Sequence, residues 1–386
     1  MKKYLQEYCV GCGLCQSEGK AILETDKKGY YKPLSGDVKW MEKVCPAAGS
    51  QCSEMDFSKI WGKEKAVYYG YSNDEAVRTK ASSGGVLTEV TSYLLESGTV
   101  DAVLHTCMSL VNPTETEICV STSRNELTER CGSRYAISHP LKNLSELPDK
   151  RYAFVGKPCD IVALKNYLRE CPDLEKKFPI TLSFFCAGLP STDAQSELIK
   201  QLGCTGKVKS LRYRGNGWPG YATAVQEDGC EHQMDYDSSW GKILGRDVMK
   251  MCRFCLDGIG EMADISCGDA WYLTEDMKPD FTENQGRNVV FARTDLGNDI
   301  LKNSCNAGNI TLTDFSDYDD KLKYMQFYQH DRRATMLSKS VAMRIMGKTF
   351  PKYSSTGMKK YSKETTSKRN KDIFKGTVKR ILKGKI

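Results

Sequence analysis

The 386-residue sequence contains only four histidines, no Walker phosphate loop, and no apolar run near the about 18 residues that would span a bilayer. The last absence excludes a helical membrane span. Residues Met1 to Tyr8 hold no apolar leader ahead of the first cysteine, so the expected compartment is the cytosol. A Rossmann nicotinamide fingerprint and P-loop nucleotide hydrolysis both lack support, and no internal repeat recurs at a fixed period. There is no recognisable Ser–His–Asp set or carboxylate pair, and His105, His139, His232 and His330 read as structural. Any chemistry is therefore expected to belong to a cofactor.

Positive charge is also missing from most of the chain. The net charge is +7, but residues 359–386 carry Lys and Arg almost throughout against Glu364 and Asp372 alone, which leaves residues 1–358 slightly acidic. A nucleic-acid footprint on the folded body is not supported. The basic tail has Ile373, Phe374, Val378, Ile381 and Leu382 between its lysines. It reads as a flexible solubilising end, with peripheral contact to an anionic membrane face as the alternative.

What the sequence does have is cysteine, 17 of them. A chain this long needs no disulfide staples, and in a reducing compartment clustered cysteines read first as metal ligands or redox groups. Cys9, Cys12 and Cys15 stand two residues apart in a loop where Gly11 and Gly13 permit a tight turn. The bacterial ferredoxin run would continue x3-Cys-Pro. Here that position is Gly19, and Cys45-Pro46 appears later, with Ser35, Val38 and Met41 where a second triplet would stand. One [4Fe–4S] cluster on Cys9, Cys12, Cys15 and Cys45 is the economical reading, with tetrahedral zinc as its rival. Cys52 is a spare, either replacing Cys45 or serving as a small hydrophobe.

A second constellation is Cys252-x2-Cys255, followed by Ala263-Asp264-Ile265-Ser266-Cys267-Gly268-Asp269-Ala270-Trp271. Alone it is open among zinc, cluster and thiol redox uses. Cys159 and Cys186 each follow an apolar strand, and strand ends are where cofactor sites collect in α/β sheets. If these two converge with Cys252 and Cys255 they complete a second four-thiolate site. Cys107, Cys119, Cys131, Cys171, Cys204, Cys230 and Cys305 have no ligand spacing and read as structural.

The fold class reads as α/β (α+β mixed): a small N-terminal ferredoxin-like iron–sulfur module over 1–62, then a mixed-sheet flavin-binding domain over 63–315. Within the latter, 63–150 and 151–315 form two parts, followed by a C-terminal extension at 316–358 and the tail at 359–386. Strands are expected at 66–71, 100–106, 151–155, 180–185, 207–213, 221–226, 263–267 and 288–292, with helices at 86–96, 160–168, 194–202 and 296–303. Residues 216–315 should pack onto the sheet. The stretch Ser82-Ser83-Gly84-Gly85 opens the helix at 86, where free N–H groups would suit a phosphate or an ordinary cap. Gly132-Ser133-Arg134-Tyr135 and the loop from Arg212 to Gly220 place cations beside aromatics, suiting a pyrophosphate and a planar ring or plain Arg–Tyr packing.

These segments, with Val155-Gly156-Lys157-Pro158-Cys159, Phe185-Cys186-Ala187-Gly188, Cys252-Arg253-Phe254-Cys255 and Gly268-Asp269-Ala270-Trp271, occur in an order that resembles the beta subunits of coenzyme F420 hydrogenases and dehydrogenases. The resemblance covers most of residues 5–295. It implies FAD, with FMN as alternative, beside a second [4Fe–4S] cluster. Ser82, Ser83, Gly84, Gly85, Ser133, Arg134, Tyr135 and Lys157 become candidate flavin contacts, and Lys157 also the one candidate for a catalytic role. Cys159, Cys186, Cys252 and Cys255 become ligands, with Cys267 as a fifth candidate. The chain looks most like members associated with bacterial polysaccharide synthesis. The resemblance implies an oxidoreductase that couples hydride transfer at a flavin, on a sugar or polysaccharide precursor or a deazaflavin, to one-electron transfer toward ferredoxin or a partner oxidoreductase. An electron-transfer subunit with no substrate of its own and a zinc-stabilised binding protein are the rival readings.

Overall fold

The computed structural model describes residues 1–49 and 55–386; Cys52 lies outside the described residues. In chain order the strands are β1 (Ala21–Thr25), β2 (Tyr31–Gly36), β3 (Ala66–Ser72), β4 (Ala102–Met108), β5 (Thr116–Ser121), β6 (Tyr152–Gly156), β7 (Ile180–Phe184), β8 (Val208–Arg212), β9 (Ala222–Gln226), β10 (Glu231–Met234), β11 (Ile265–Asp269), β12 (Asn288–Ala292) and β13 (Ile310–Asp314). Eight of them form one sheet in the order β13-β3-β12-β11-β7-β6-β4-β5. Its centre, β4-β6-β7-β11, is parallel, and both flanks are antiparallel. The mixed α/β fold anticipated from the alternation of apolar runs is present.

Strand alternation divides the core in two. Along β12, Val289 and Phe291 join the larger cluster, and Val290 and Ala292 join the cluster on the opposite face. β4 and β6 alternate in the same way through Leu104 and Phe154 against Val103 and Ala153. The second face is covered by the helices Val86–Glu96 and Asp295–Asn306, which contribute Val90, Leu94, Ile300 and Leu301. The first face carries the helix Pro158–Glu170, the N-terminal segment and the C-terminal helices together. Leu5, Tyr8, Leu14 and Met41 thus share a core with Phe154, Phe291, Met336 and Met358, so the described residues of 1–62 pack into the core of the body. Residues 216–315 divide: β9 and β10 pair with β8 in a small antiparallel sheet, and β11, β12 and β13 enter the large one.

Two expectations need correction. The tail is not flexible: it folds as the helices Ser355–Tyr361 and Ser367–Leu382. Arg369 makes a two-pronged ion pair with Asp331 at 2.8 Å on both arms, Ser338 donates to Asn370 at 2.7 Å, and Thr377 and Ile381 are buried. The apolar stripe seen among the lysines has a partner surface in residues 316–358, and an isolated tail pattern does not reveal one. Cys107 and Cys119 are also linked as a disulfide rather than standing as separate thiols. In the β4–β5 register Cys107 faces Glu117 and Cys119 faces His105, which makes the two cysteines diagonal neighbours on one face.

Candidate cofactor cavity and cysteine groups

The N-terminal loop turns as its glycines suggest. Gly11 and Gly13 take φ of +69° and +89°, and a Cβ on Gly13 would also lie 2.8 Å from the Lys142 backbone. The loop is pinned to the body, because His139 Nδ1 donates to Gly11 O at 2.6 Å and Leu141 N donates to Cys12 O at 2.9 Å. Cys45 ends the helix Val38–Val44 and reaches the same place. Burial pushes the Cys12 thiol well up, with charge on Cys15 and Cys45 adding to it, and pushes Cys15 up to about 12 with Cys9 adding. Cys12 therefore lies within the field of Cys15 and Cys45, and Cys15 and Cys45 within that of Cys9. Gly11 N donates to Cys9 Sγ at 3.4 Å.

The second group assembles from three elements. Pro158 occupies the first position of its helix, so Cys159 sits in the first turn at the end of β6. Cys186 follows β7, and Cys252 and Cys255 flank the end of the short helix Lys250–Arg253. All four line a small cavity with Val10, Lys157, Met249 and Arg332. Burial raises Cys252 to about 12, with Cys186 and Cys255 adding, and raises Cys255 to about 11 against the opposing Arg332 charge. Leu189 N donates to Cys252 Sγ at 3.4 Å. Cys267 does not join this group: on β11 it points with Ile265 into the opposite core face. Among the described residues no group of three or more His, Cys, Asp or Glu is arranged to hold a single metal ion.

Beside the second group lies a cavity of about 260 Å³ at the carboxyl ends of β6, β7 and β11. Ser82, Ser83, Gly85, Ser133, Arg134, Tyr135 and Lys157 all line it; Gly84 does not, being wedged against Gly70 O and Asn288. Several of these side chains are already engaged. Ser133 N donates to Ser82 Oγ at 2.6 Å, and Ser83 Oγ donates to Arg287 O at 3.1 Å. The Arg134 guanidinium donates to Leu211 O at 2.6 Å and Pro113 O at 2.7 Å, which ties three segments together. Lys157 is buried, 2.7 Å from Asp160 and 2.8 Å from Ser138 Oγ. Burial alone would lower its pKa, but the Asp160 charge and hydrogen bond together with the nearby Cys159 and Cys186 raise it. Lys157, Cys186, Gly188 and Leu189 belong to the linings of both cavities.

Some site residues escaped the sequence reading. Asp269 accepts from both arms of the buried Arg214, at 2.9 and 3.0 Å, and from Trp218 Nε1 at 2.8 Å, while Arg214 packs between the Tyr236 and Trp271 rings. The Gly-Asp-Ala-Trp motif thereby anchors the Arg212–Gly220 loop, a role that the motif's Asp beside an aromatic could have suggested. Gly215, Gly217 and Gly220 in that loop do have Gly-x-Gly-x-x-Gly spacing, but the loop joins β8 to β9 and opens no helix, so it is not a dinucleotide turn. His105 also lines the cavity, paired with Ser121 Oγ at 2.8 Å, and burial lowers its pKa to about 4. Arg332 carried no spacing signal at all.

Residues 67–145 match the family described as coenzyme F420 hydrogenase/dehydrogenase, beta subunit N-term, and residues 149–318 match the corresponding C terminus. The coenzyme F420 hydrogenase subunit beta of Methanosarcina barkeri is 26% identical over 249 residues, 62% of this chain and 78% of the relative. That of Methanococcus voltae is 24% identical over 317 residues, 75% of this chain and 99% of the relative. The coenzyme F420-dependent sulfite reductase of Methanocaldococcus jannaschii is 26% identical over 324 residues, 76% of this chain but 45% of the relative. A chain of the F420-reducing [NiFe] hydrogenase complex from Methanosarcina barkeri shares the fold, with a TM-score of 0.57, 21% identity, and coverage of 75% of this chain and 96% of that one.

Proposed function

Because the chain belongs to the coenzyme F420 hydrogenase/dehydrogenase beta-subunit family, we propose that it is an electron-transferring oxidoreductase subunit, with a flavin in the large cavity and a [4Fe–4S] cluster on each cysteine group. One observation carries the reading: Lys157, Cys186, Gly188 and Leu189 form a wall shared by the cavity and the second cysteine group. The donor sets fit cubanes, since each group offers four thiols and at least one backbone N–H aimed at sulfur. A bound flavin would supply the exchange of a hydride for single electrons, and the clusters would carry those electrons onward.

The chain's own residues supply position, charge and dryness. Val103, Leu127, Val155 and Phe184 give the cavity apolar walls. Val86, Leu87 and Thr88 bring the start of an eleven-residue helix to its wall, which favours an anionic part of a cofactor such as a phosphate. Lys157, held by Asp160 and Ser138, keeps a cation at the shared wall. Val10, next to Cys9, lines the second group's cavity, so the two cysteine groups are near neighbours.

The flavin is FAD in this reading, with FMN as the alternative. The relatives are named as coenzyme F420 enzymes, so a deazaflavin ranks ahead of a sugar or polysaccharide precursor as hydride partner. The electron partner is another oxidoreductase subunit, as in the complex that shares the fold, or a ferredoxin. Lys368, Lys371, Lys375 and Lys379 are exposed on the last long helix and would make any peripheral contact with an anionic membrane. No helix among the described residues is long and apolar enough to cross one. The test is iron and flavin quantitation on anaerobically purified chain, followed by titration with reduced deazaflavin coenzyme. Bleaching of a bound flavin is expected; zinc without iron or flavin would refute the proposal.

A further inference from the structure

We propose that Arg332, on the C-terminal helix Phe327–Ala334, is the fixed counter-charge of the second cysteine group and raises the electron affinity of whatever cluster those cysteines hold. The inference rests on the reading of Cys159, Cys186, Cys252 and Cys255 as cluster ligands. It concerns a residue beyond the matched family region, which ends at residue 318.

Arg332 is 3% exposed and lines the small cavity with the four thiols. Its Nη2 donates to Cys186 O at 2.9 Å and to Gln329 Oε1 at 2.5 Å, and its Nε is buried with no partner. Tyr328 Oη donates to Ala187 O at 3.2 Å and Gln329 Nε2 to Cys186 O at 3.2 Å, so one helical turn grips the Cys186–Ala187 backbone and covers the group. No Asp or Glu among the described residues forms an ion pair with Arg332; the charges it faces belong to Cys255, Tyr328, Cys186 and Cys252. Lys157 differs, because it has an ion-pair partner in Asp160 at 2.7 Å.

Asp257 also lines this cavity but forms no ion pair with Arg332, and a buried guanidinium without an ion-paired carboxylate is costly unless another anion balances it. Four thiolates around a [4Fe–4S] core carry two net negative charges, and three after one electron is taken up. The cation therefore favours the reduced form over the oxidised one. The protein also makes room for it: a Cβ on Gly258, three residues after Cys255, would lie 1.3 Å from Arg332 Nη2.

The test uses full-length chain purified anaerobically, as wild type, Arg332→Gln and Arg332→Lys, with iron content and redox titration followed by electron paramagnetic resonance. Arg332→Gln should shift the reduction equilibrium of one of the two clusters about tenfold toward the oxidised form, a fall of about 59 mV for a one-electron couple. The other cluster should stay put, and Arg332→Lys should recover most of the shift. If Arg332→Gln loses one cluster's iron, retention by Arg332→Lys supports the charge role, and loss from both variants overturns it. Unchanged potentials with full iron in Arg332→Gln also overturn it. Wild-type chain whose iron is unaffected by replacing Cys186 or Cys252 with serine would instead overturn the ligand reading beneath it.

Discussion

Replacing Arg333 with methionine should destabilise the protein by about 3–5 kcal/mol, because it strands a buried carboxylate. Arg333 and Glu261 are both fully buried and 2.7 Å apart. Arg333 also donates to Ile60 O at 2.7 Å and to Tyr361 Oη at 2.9 Å, and Glu261 accepts from Asp56 N at 2.6 Å. The pair thus joins residues 56–63, the segment after the second cysteine group, and the C-terminal helices. Methionine fills similar space but leaves Glu261 beside the buried Asp257, whose carboxyl burial already holds above the usual range, with the Glu261 charge adding. An acid whose folded-state pKa is raised binds protons more readily in the folded state, so stability rises as pH falls through that window. The gap between Arg333→Met and wild type should accordingly be widest at neutral pH and narrow toward pH about 5. Denaturant unfolding followed by circular dichroism measures both effects. The double variant Glu261→Gln/Arg333→Met should regain at least about 1 kcal/mol over Arg333→Met alone, since no charge is then stranded. A single variant within about 1 kcal/mol of wild type at pH 7, or a gap that widens on acidification, would refute the reasoning.

Replacing Cys12 or Cys186 with serine should each remove roughly half of an expected total of about eight irons per chain, leaving the other cluster's spectrum intact; iron assays that show no loss for either variant contradict the assignment. Thr88→Phe, on a half-buried position of the cavity wall, should lower the flavin-to-protein ratio at least about tenfold while costing about 1–3 kcal/mol, and full flavin retention would remove the cavity as its site. His105 is 9% exposed with its pKa lowered to about 4, so stability it contributes is complete above pH about 6.5 and lost as pH falls toward 4, a total of roughly 3 kcal/mol. His105→Gln should therefore flatten part of the acid-side loss in denaturant midpoint between pH 7 and 4.5; an unchanged slope counts against a buried neutral imidazole.

Much of the sheet was legible because its strands are short apolar runs whose residues alternate between two buried faces, and Val86–Glu96 was legible to the residue because Leu87, Val90 and Leu94 repeat at helical spacing. β5 and β13 were missed. Both are edge strands with exposed or half-buried positions such as Glu117 and Thr313, so neither carries a continuous apolar signal. The placement of Cys159 and Cys186 was readable for a different reason: each follows an apolar strand, and the parallel pairing of β6 with β7 sets those strand ends side by side, where Cys252 and Cys255 line the same small cavity. What was not legible is long-range pairing of charges. Arg333 meets Glu261 and Arg369 meets Asp331 across 72 and 38 residues, and no periodicity announces either.

The same limit explains why the tail read as a flexible solubilising end and is instead helical and packed against the preceding helices. Its lysines dominate its composition, yet the side chains that decide the place of the C-terminal segment are few: Arg332 against Cys186, Arg333 against Glu261, Ile381 and Thr377 against the helix Met336–Ile345. Apolar residues of both terminal segments share the core on one sheet face, and Val10 from one and Arg332 from the other line the cavity of the second cysteine group. An ionic group buried this way is expensive unless it has a task that hydrophobic packing could not perform. The family-matched body supplies the thiols and the adjoining cavity, and the segment beyond residue 318 supplies the buried Arg332 that lines the same small cavity.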